Sequence, residues 1–133
     1  FPEASPAWIE KEAGWLRRSG ARLVLADIPP LAFEAARAAG VPSMGITNFS
    51  WDWIYQHLAR RLPAFREPAA AAREAYSSAG LLLEIPFAGD LAAFPTRERI
   101  PMVARAQERP REETRKALGL TADDGAGVCL AEL

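Results

Sequence analysis

Two short apolar runs with a compact helical stretch between them constrain this chain more than any other feature. Leu23-Val24-Leu25-Ala26 lies between Gly20 and Asp27-Ile28-Pro29-Pro30, and so short a continuous apolar run predicts a strand buried on both faces. The stretch that follows carries Leu31, Ala32, Ala35, Ala36 and Ala39, a small-residue face suited to close approach to a sheet. Gly40 and Pro42 stop it, and Ser43-Met44-Gly45-Ile46-Thr47 predicts a second strand. Strand, helix and strand make a βαβ unit, which joins parallel neighbours and nearly always crosses over right-handed. The class is α/β, a parallel sheet with flanking helices.

The flanking segments fit that class. Ser5-Pro6 predicts an N-cap followed by proline in the first helical turn, with Ile9, Ala13 and Leu16 on one face, Trp8 and Trp15 widening it, and a stop at Ser19-Gly20. A helix from near Ser50 carries Trp51, Tyr55, Leu58 and Leu62 on one face until Pro63. An alanine-rich helix over residues 69–79 turns Ala72 and Tyr76 inward, and Leu81-Leu82-Leu83-Glu84-Ile85 predicts a third strand. Residues 100–103 suggest a weaker strand, for which Pro101 argues an edge position or no strand at all. A mostly charged helix from Pro110 to Leu118, stopped by Gly119, has the character of a linker, and a last strand is expected around residues 128–130.

The expected organisation is therefore a partial first domain over 1–103, a linker helix over 104–120 and the start of a second domain over 121–133. The chain opens on Phe1 and closes on the apolar run Val128-Cys129-Leu130-Ala131-Glu132-Leu133, so the natural protein is expected to continue past both ends.

The balance of 16 basic against 17 acidic residues gives a net charge of −1, which offers no electrostatic footprint for nucleic acid or an anionic membrane. Cys129 is the single cysteine, so there is no disulfide framework and no Cys/His cluster for a metal. A reducing compartment, the cytoplasm, is expected, with no transmembrane segment, no metal and no cofactor.

In open parallel sheets ligands bind beyond the carboxyl ends of the strands. The loops there are Asp27-Ile28-Pro29-Pro30, Thr47-Asn48-Phe49-Ser50 and Pro86-Phe87-Ala88-Gly89-Asp90. Asp27 could orient a hydroxyl or act as a base, and equally could accept backbone N–H bonds at the start of the next helix. In Thr47-Asn48-Phe49-Ser50-Trp51-Asp52-Trp53-Ile54-Tyr55 aromatics adjoin an amide and a carboxylate, a mixture that suits the apolar faces and polar rims of sugar rings. The same residues also fit a structural assignment: Ser50 or Asn48 as N-cap, Asp52 on the helix dipole, Trp51 and Tyr55 in the core. His57 is assigned to the exposed surface and Cys129 to a core. Gly125-Ala126-Gly127 precedes its strand, the wrong order for a phosphate cradle.

These segments, with Ala38-Ala39-Gly40-Val41-Pro42 and Ile100-Pro101-Met102-Val103-Ala104-Arg105, resemble the N-terminal half of predicted glycosyltransferases built from two Rossmann-like domains, the GT-B type. They are similar above all to the glycosyltransferase-like region of arabinokinase-type sugar kinases. The resemblance implies an acceptor-side half, with a nucleotide-sugar donor held by a second half and a sugar acceptor held here by Asp27, Asn48, Ser50, Trp51 and Asp52. It identifies no catalytic residue, and these 133 residues by themselves are expected to be inactive. The alternative is a non-catalytic sugar-binding or regulatory domain fused to a sugar kinase. In the intact protein Asp52→Ala or Asn48→Ala is expected to abolish transfer with little change in melting temperature.

Overall fold

The computed structural model describes residues 5–104 and 108–120. They belong to two compact units divided after Met102, each described by itself.

In the first unit, helix α1 (Pro6–Ser19) begins at Ser5, whose hydroxyl accepts the Trp8 N–H at 3.4 Å, and ends at Gly20 with φ +68°, a left-handed conformation that glycine adopts freely. Ala13 and Leu16 are buried, whereas Trp8 and Trp15 each stay 57% exposed, so the buried stripe is narrower than the tryptophan spacing suggests. Helix α2 (Pro30–Ala39) packs along α1, and Arg17 donates to the Ala38 carbonyl at 3.0 Å.

Strands β1 (Val24–Ala26), β2 (Ser43–Thr47), β3 (Leu81–Glu84) and β4 (Arg97–Arg99) form one parallel sheet in that order. Because the order runs one way, right-handed crossovers bring α2 and the pair α3 (Trp51–Ala59) and α4 (Arg66–Ser77) to the same face, where α2 packs against α4. The core lies under these helices and includes Ala26, Ile28, Phe33, Ala72, Tyr76, Leu82 and Phe94. Ala26, Gly45 and Leu82 stand side by side in register. A Cβ on Gly45 would lie 2.8 Å from Leu82 Cδ1 and 3.4 Å from the Phe33 and Phe94 rings, so glycine there lets the helical layer close down on the sheet.

The sheet alternation turns Leu25, Met44 and Leu81, also in register, to the opposite face. Leu25 is 61% exposed, which corrects the expectation of a first strand buried on both faces. Both sides of that strand are apolar, but a one-way strand order supplies crossover helices to only one of them.

Three boundaries also differ from expectation. α3 ends at Ala59 and leaves Leu58 and Leu62 exposed, because a 3₁₀ turn at Pro63–Phe65 redirects the chain and brings Phe65 against Tyr55, with ring centroids 5.6 Å apart. α4 begins at Arg66, ahead of the alanines. The weak strand expected at 100–103 forms instead at Arg97–Arg99, fully exposed at the sheet edge. Ile100 still donates to the Glu84 carbonyl at 3.0 Å, and Pro101, with no N–H, ends the pairing. The connection from β3 to β4, residues 85–96, holds no helix; Leu91, Ala93 and Phe94 bury themselves in the core from an irregular backbone.

In the second unit, α5 (Arg111–Ala117) has Glu112 and Glu113 in its first turn and Arg115 and Lys116 in its last, each sign at the end of the helix dipole that favours it. Gly119 follows with φ +70°. The strand expected at 128–130, Cys129 and Gly125-Ala126-Gly127 lie outside the described residues.

Candidate functional site

A parallel sheet brings the turns after β1, β2 and β3 to one carboxyl edge, and specific bonds draw these turns together. Ile85 donates its N–H to the Thr47 carbonyl at 3.1 Å, and Gly89 donates to the Asn48 carbonyl at 2.9 Å. The Ser50 hydroxyl donates to the Asp90 carbonyl at 3.2 Å. Gly89 also lies flat against the Trp53 ring: a Cβ there would fall 2.7 Å from Trp53 Cζ3. On the other side, Tyr76 donates its hydroxyl to the Ile28 carbonyl at 2.8 Å and accepts the Trp51 N–H at 3.4 Å. The phenol is wholly buried, and that burial pushes its pKa well above the tyrosine range, so it remains a donor.

The residues singled out in the sequence occupy different depths at this edge. Asp27 is exposed and its carboxylate makes no hydrogen bond to another described residue; Pro29, not Asp27, stands at the α2 N-cap. Asn48 is half-buried and Ser50 fully buried. Ser50 holds the N-cap position of α3 without a capping bond, its hydroxyl being turned to Asp90 instead. Trp51 is half-buried between Phe49, edge-on at 5.5 Å, and Tyr55, stacked at 5.6 Å.

Asp52 is 3% exposed, in the first turn of α3. Its Oδ2 takes long contacts from Arg73 Nη1 at 3.4 Å and Gln56 Nε2 at 3.5 Å, and its Oδ1 is buried with no partner among the described residues. Ser50 and Asp52 thus sit behind the surface, whereas Asp27, Asn48 and the edge of Trp51 can meet a solute.

An open cleft of about 320 Å³ lies at the carboxyl ends of β3 and β4, between Glu84, Ile85, Pro86, Phe87, Ala88, Arg99 and Ile100. The Glu84 side chain is 13% exposed and accepts Arg99 Nε at 3.2 Å, while the Arg99 side chain is 88% exposed. Phe87 is 88% exposed and holds φ +65°, a left-handed conformation rare for a residue with Cβ. Sequence reasoning did not select Glu84, Phe87 or Arg99. The signal for Glu84 was present, since it is the one charge in an apolar strand that ends at this edge. Arg99 was hidden, because the strand carrying it was expected three residues later.

Among the described residues no group of three or more His, Cys, Asp or Glu could hold a metal ion, and no helix is long and apolar enough to cross a membrane. This edge thus carries a carboxylate, a guanidinium, a side-chain amide and exposed aromatic rings, groups that form hydrogen bonds and ring-stacking contacts.

The chain is similar to an L-arabinokinase. That protein, from Arabidopsis thaliana, is 34% identical over 116 residues, a match covering 86% of this chain and 11% of the arabinokinase. This chain thus spans about a tenth of that relative's length, and the similarity agrees with the arabinokinase side of the resemblance, not with its glycosyltransferase side. No family model matches the chain, and no solved structure matches it.

Proposed function

We propose that this chain is the acceptor-side part of a glycosyltransferase-like protein and holds a sugar ring at the carboxyl edge of its sheet. The single observation carrying this reading is the joining of the 47–50 turn, with Asn48 and the start of α3, to the 85–90 turn, whose first residues line the Glu84–Arg99 cleft. Asn48 offers both donor and acceptor to sugar hydroxyls, the indole edges offer apolar contact to ring C–H groups, and Asp27 adds an exposed carboxylate at the same edge. Ser50 and Asp52 act from behind, fixing the start of α3. In the intact protein a nucleotide-sugar donor would be held by a second α/β half that begins within 121–133, with 104–120 as the linker.

A second reading is favoured by the small share of the arabinokinase that the match covers: a non-catalytic sugar-binding or regulatory region joined to a sugar kinase. The two separate in one assay on the full polypeptide that carries this chain, supplied with a panel of nucleotide-sugars and, separately, with ATP and free sugars. Under the transferase reading, nucleotide-sugar is consumed and Asn48→Ala abolishes that consumption. ATP-dependent sugar phosphorylation without nucleotide-sugar turnover supports the second, and failure to bind any sugar removes both.

A further inference from the structure

The cleft between the ends of β3 and β4 has a composition that selects among sugars. Its lining includes Glu84, an acceptor-only group when ionised and therefore a partner for hydroxyl donors. Arg99 spends its Nε on Glu84 Oε1, which anchors the base of the guanidinium. Its two Nη groups donate to no other described residue, on a side chain that is 88% exposed. An anchored fork of this kind matches a carboxylate or phosphate through two parallel bonds.

The rim is apolar. Ile85, Pro86, Ala88 and Ile100 line the walls, and Phe87 projects its ring into solvent from a strained backbone. An exposed ring adds nothing to the core, while φ +65° costs about 1–2 kcal/mol. Strain of that kind accumulates where a side chain must meet a ligand. The volume, about 320 Å³, is at the low end for small-molecule sites and suits one ring rather than an oligosaccharide.

We propose that this cleft binds a single sugar ring bearing one anionic group, a carboxylate or a phosphate. Arg99 takes the anion, Glu84 takes ring hydroxyls, and Phe87 covers a C–H face. The inference deepens the sugar-binding reading above by naming the class of sugar, and it needs no catalytic step.

The test is to titrate the isotopically labelled 133-residue chain with glucuronate, glucose 6-phosphate, glucose and inorganic phosphate, following backbone amide resonances by NMR. The anionic sugars are expected to move the amides of residues 84, 85, 87, 88, 99 and 100, binding roughly tenfold more tightly than glucose, as a charge-assisted bond allows. Which of the two binds better distinguishes carboxylate from phosphate. Arg99→Gln should bring both down to the glucose level without lowering the melting temperature, since the side chain is exposed. Phe87→Gly should weaken all the sugars while leaving the fold at least as stable, because glycine adopts its backbone freely.

Equal affinity for glucose and the anionic sugars, inorganic phosphate binding as well as glucose 6-phosphate, or an unchanged Arg99→Gln variant would each overturn the proposal. Glucose shifting only residues 48–53 removes this cleft but leaves the sugar-binding reading intact. No shift with any sugar removes both.

Discussion

The Tyr76 hydroxyl donates to the carbonyl of Ile28, 2.8 Å away, at a residue whose own backbone is left-handed with φ +52°. Ile28 is buried and carries a β-branched side chain, so the turn after β1 is held in a conformation that it would not choose alone. The same phenol receives the Trp51 N–H at the start of α3. One side chain from α4 thereby fixes two of the three turns at the carboxyl edge, while its ring stacks on Phe94 and meets Phe33 edge-on.

Tyr76→Phe keeps the ring packing and removes only the hydroxyl. It strips the Ile28 carbonyl and the Trp51 N–H of this partner, and the expected loss of stability is about 1–3 kcal/mol. Urea denaturation should show a lower midpoint at an unchanged slope. An unchanged midpoint would mean that the relay contributes nothing to holding the strained turn.

Asn48 and Asp52 separate on burial. Asn48→Ala touches a half-buried side chain with no hydrogen bond to another described residue, so stability should stay within about 0.5 kcal/mol while sugar binding falls. Asp52→Ala removes a buried carboxylate from the first turn of α3 together with its contacts to Arg73 and Gln56, and about 1 kcal/mol of stability should go with it. That departs from the sequence expectation that both changes leave melting nearly untouched. Thermal melts of the two variants side by side decide it, and equal melting temperatures would assign Asp52 no structural part.

What could be read from the sequence was whatever local chemistry decides. Ser5-Pro6 and Gly20 bound α1, Gly40 and Pro42 bound the helix before β2, and Ser43–Thr47 forms the strand expected of it, because caps, glycine stops and short apolar runs act within a few residues. What could not be read depends on strand order. Leu25 is as apolar as a core residue, and only the one-way order β1-β2-β3-β4 shows that no crossover helix among the described residues covers it. The same holds at the candidate site: the loops after the strands were legible as an edge, but the pairing of Glu84 with Arg99 required β3 and β4 to be neighbours. Leu91 and Phe94 enter the core from irregular backbone, which leaves no periodicity to detect.

Gly89 and Trp53 make a pair that can be tested by compensation. Gly89→Ala drives a methyl group into the indole at 2.7 Å, which must push the ring aside or loosen the 85–90 turn. A loss of about 1–3 kcal/mol is expected from such overpacking. Trp53 is 40% exposed, so Trp53→Ala should cost less than a core tryptophan, and the double variant should recover most of the Gly89→Ala loss. Strictly additive losses would show that the clash is not with Trp53.

Glu34 on α2 gives the chain a pH dependence of defined sign. Burial raises its pKa above the ordinary glutamate value, and Arg37, one turn on, only partly offsets that. The folded chain therefore holds this proton to higher pH than the unfolded chain does. Stability from this group is fully present below the unfolded value, about 4.3, and is lost as pH rises through the folded value. Glu34→Gln removes the titration: the variant should be more stable than the parent at pH 7 and differ little from it at pH 4 or below. Urea midpoints at the two pH values check this. A stabilisation of equal size at both would trace the effect to packing or helix propensity and not to the partly buried charge.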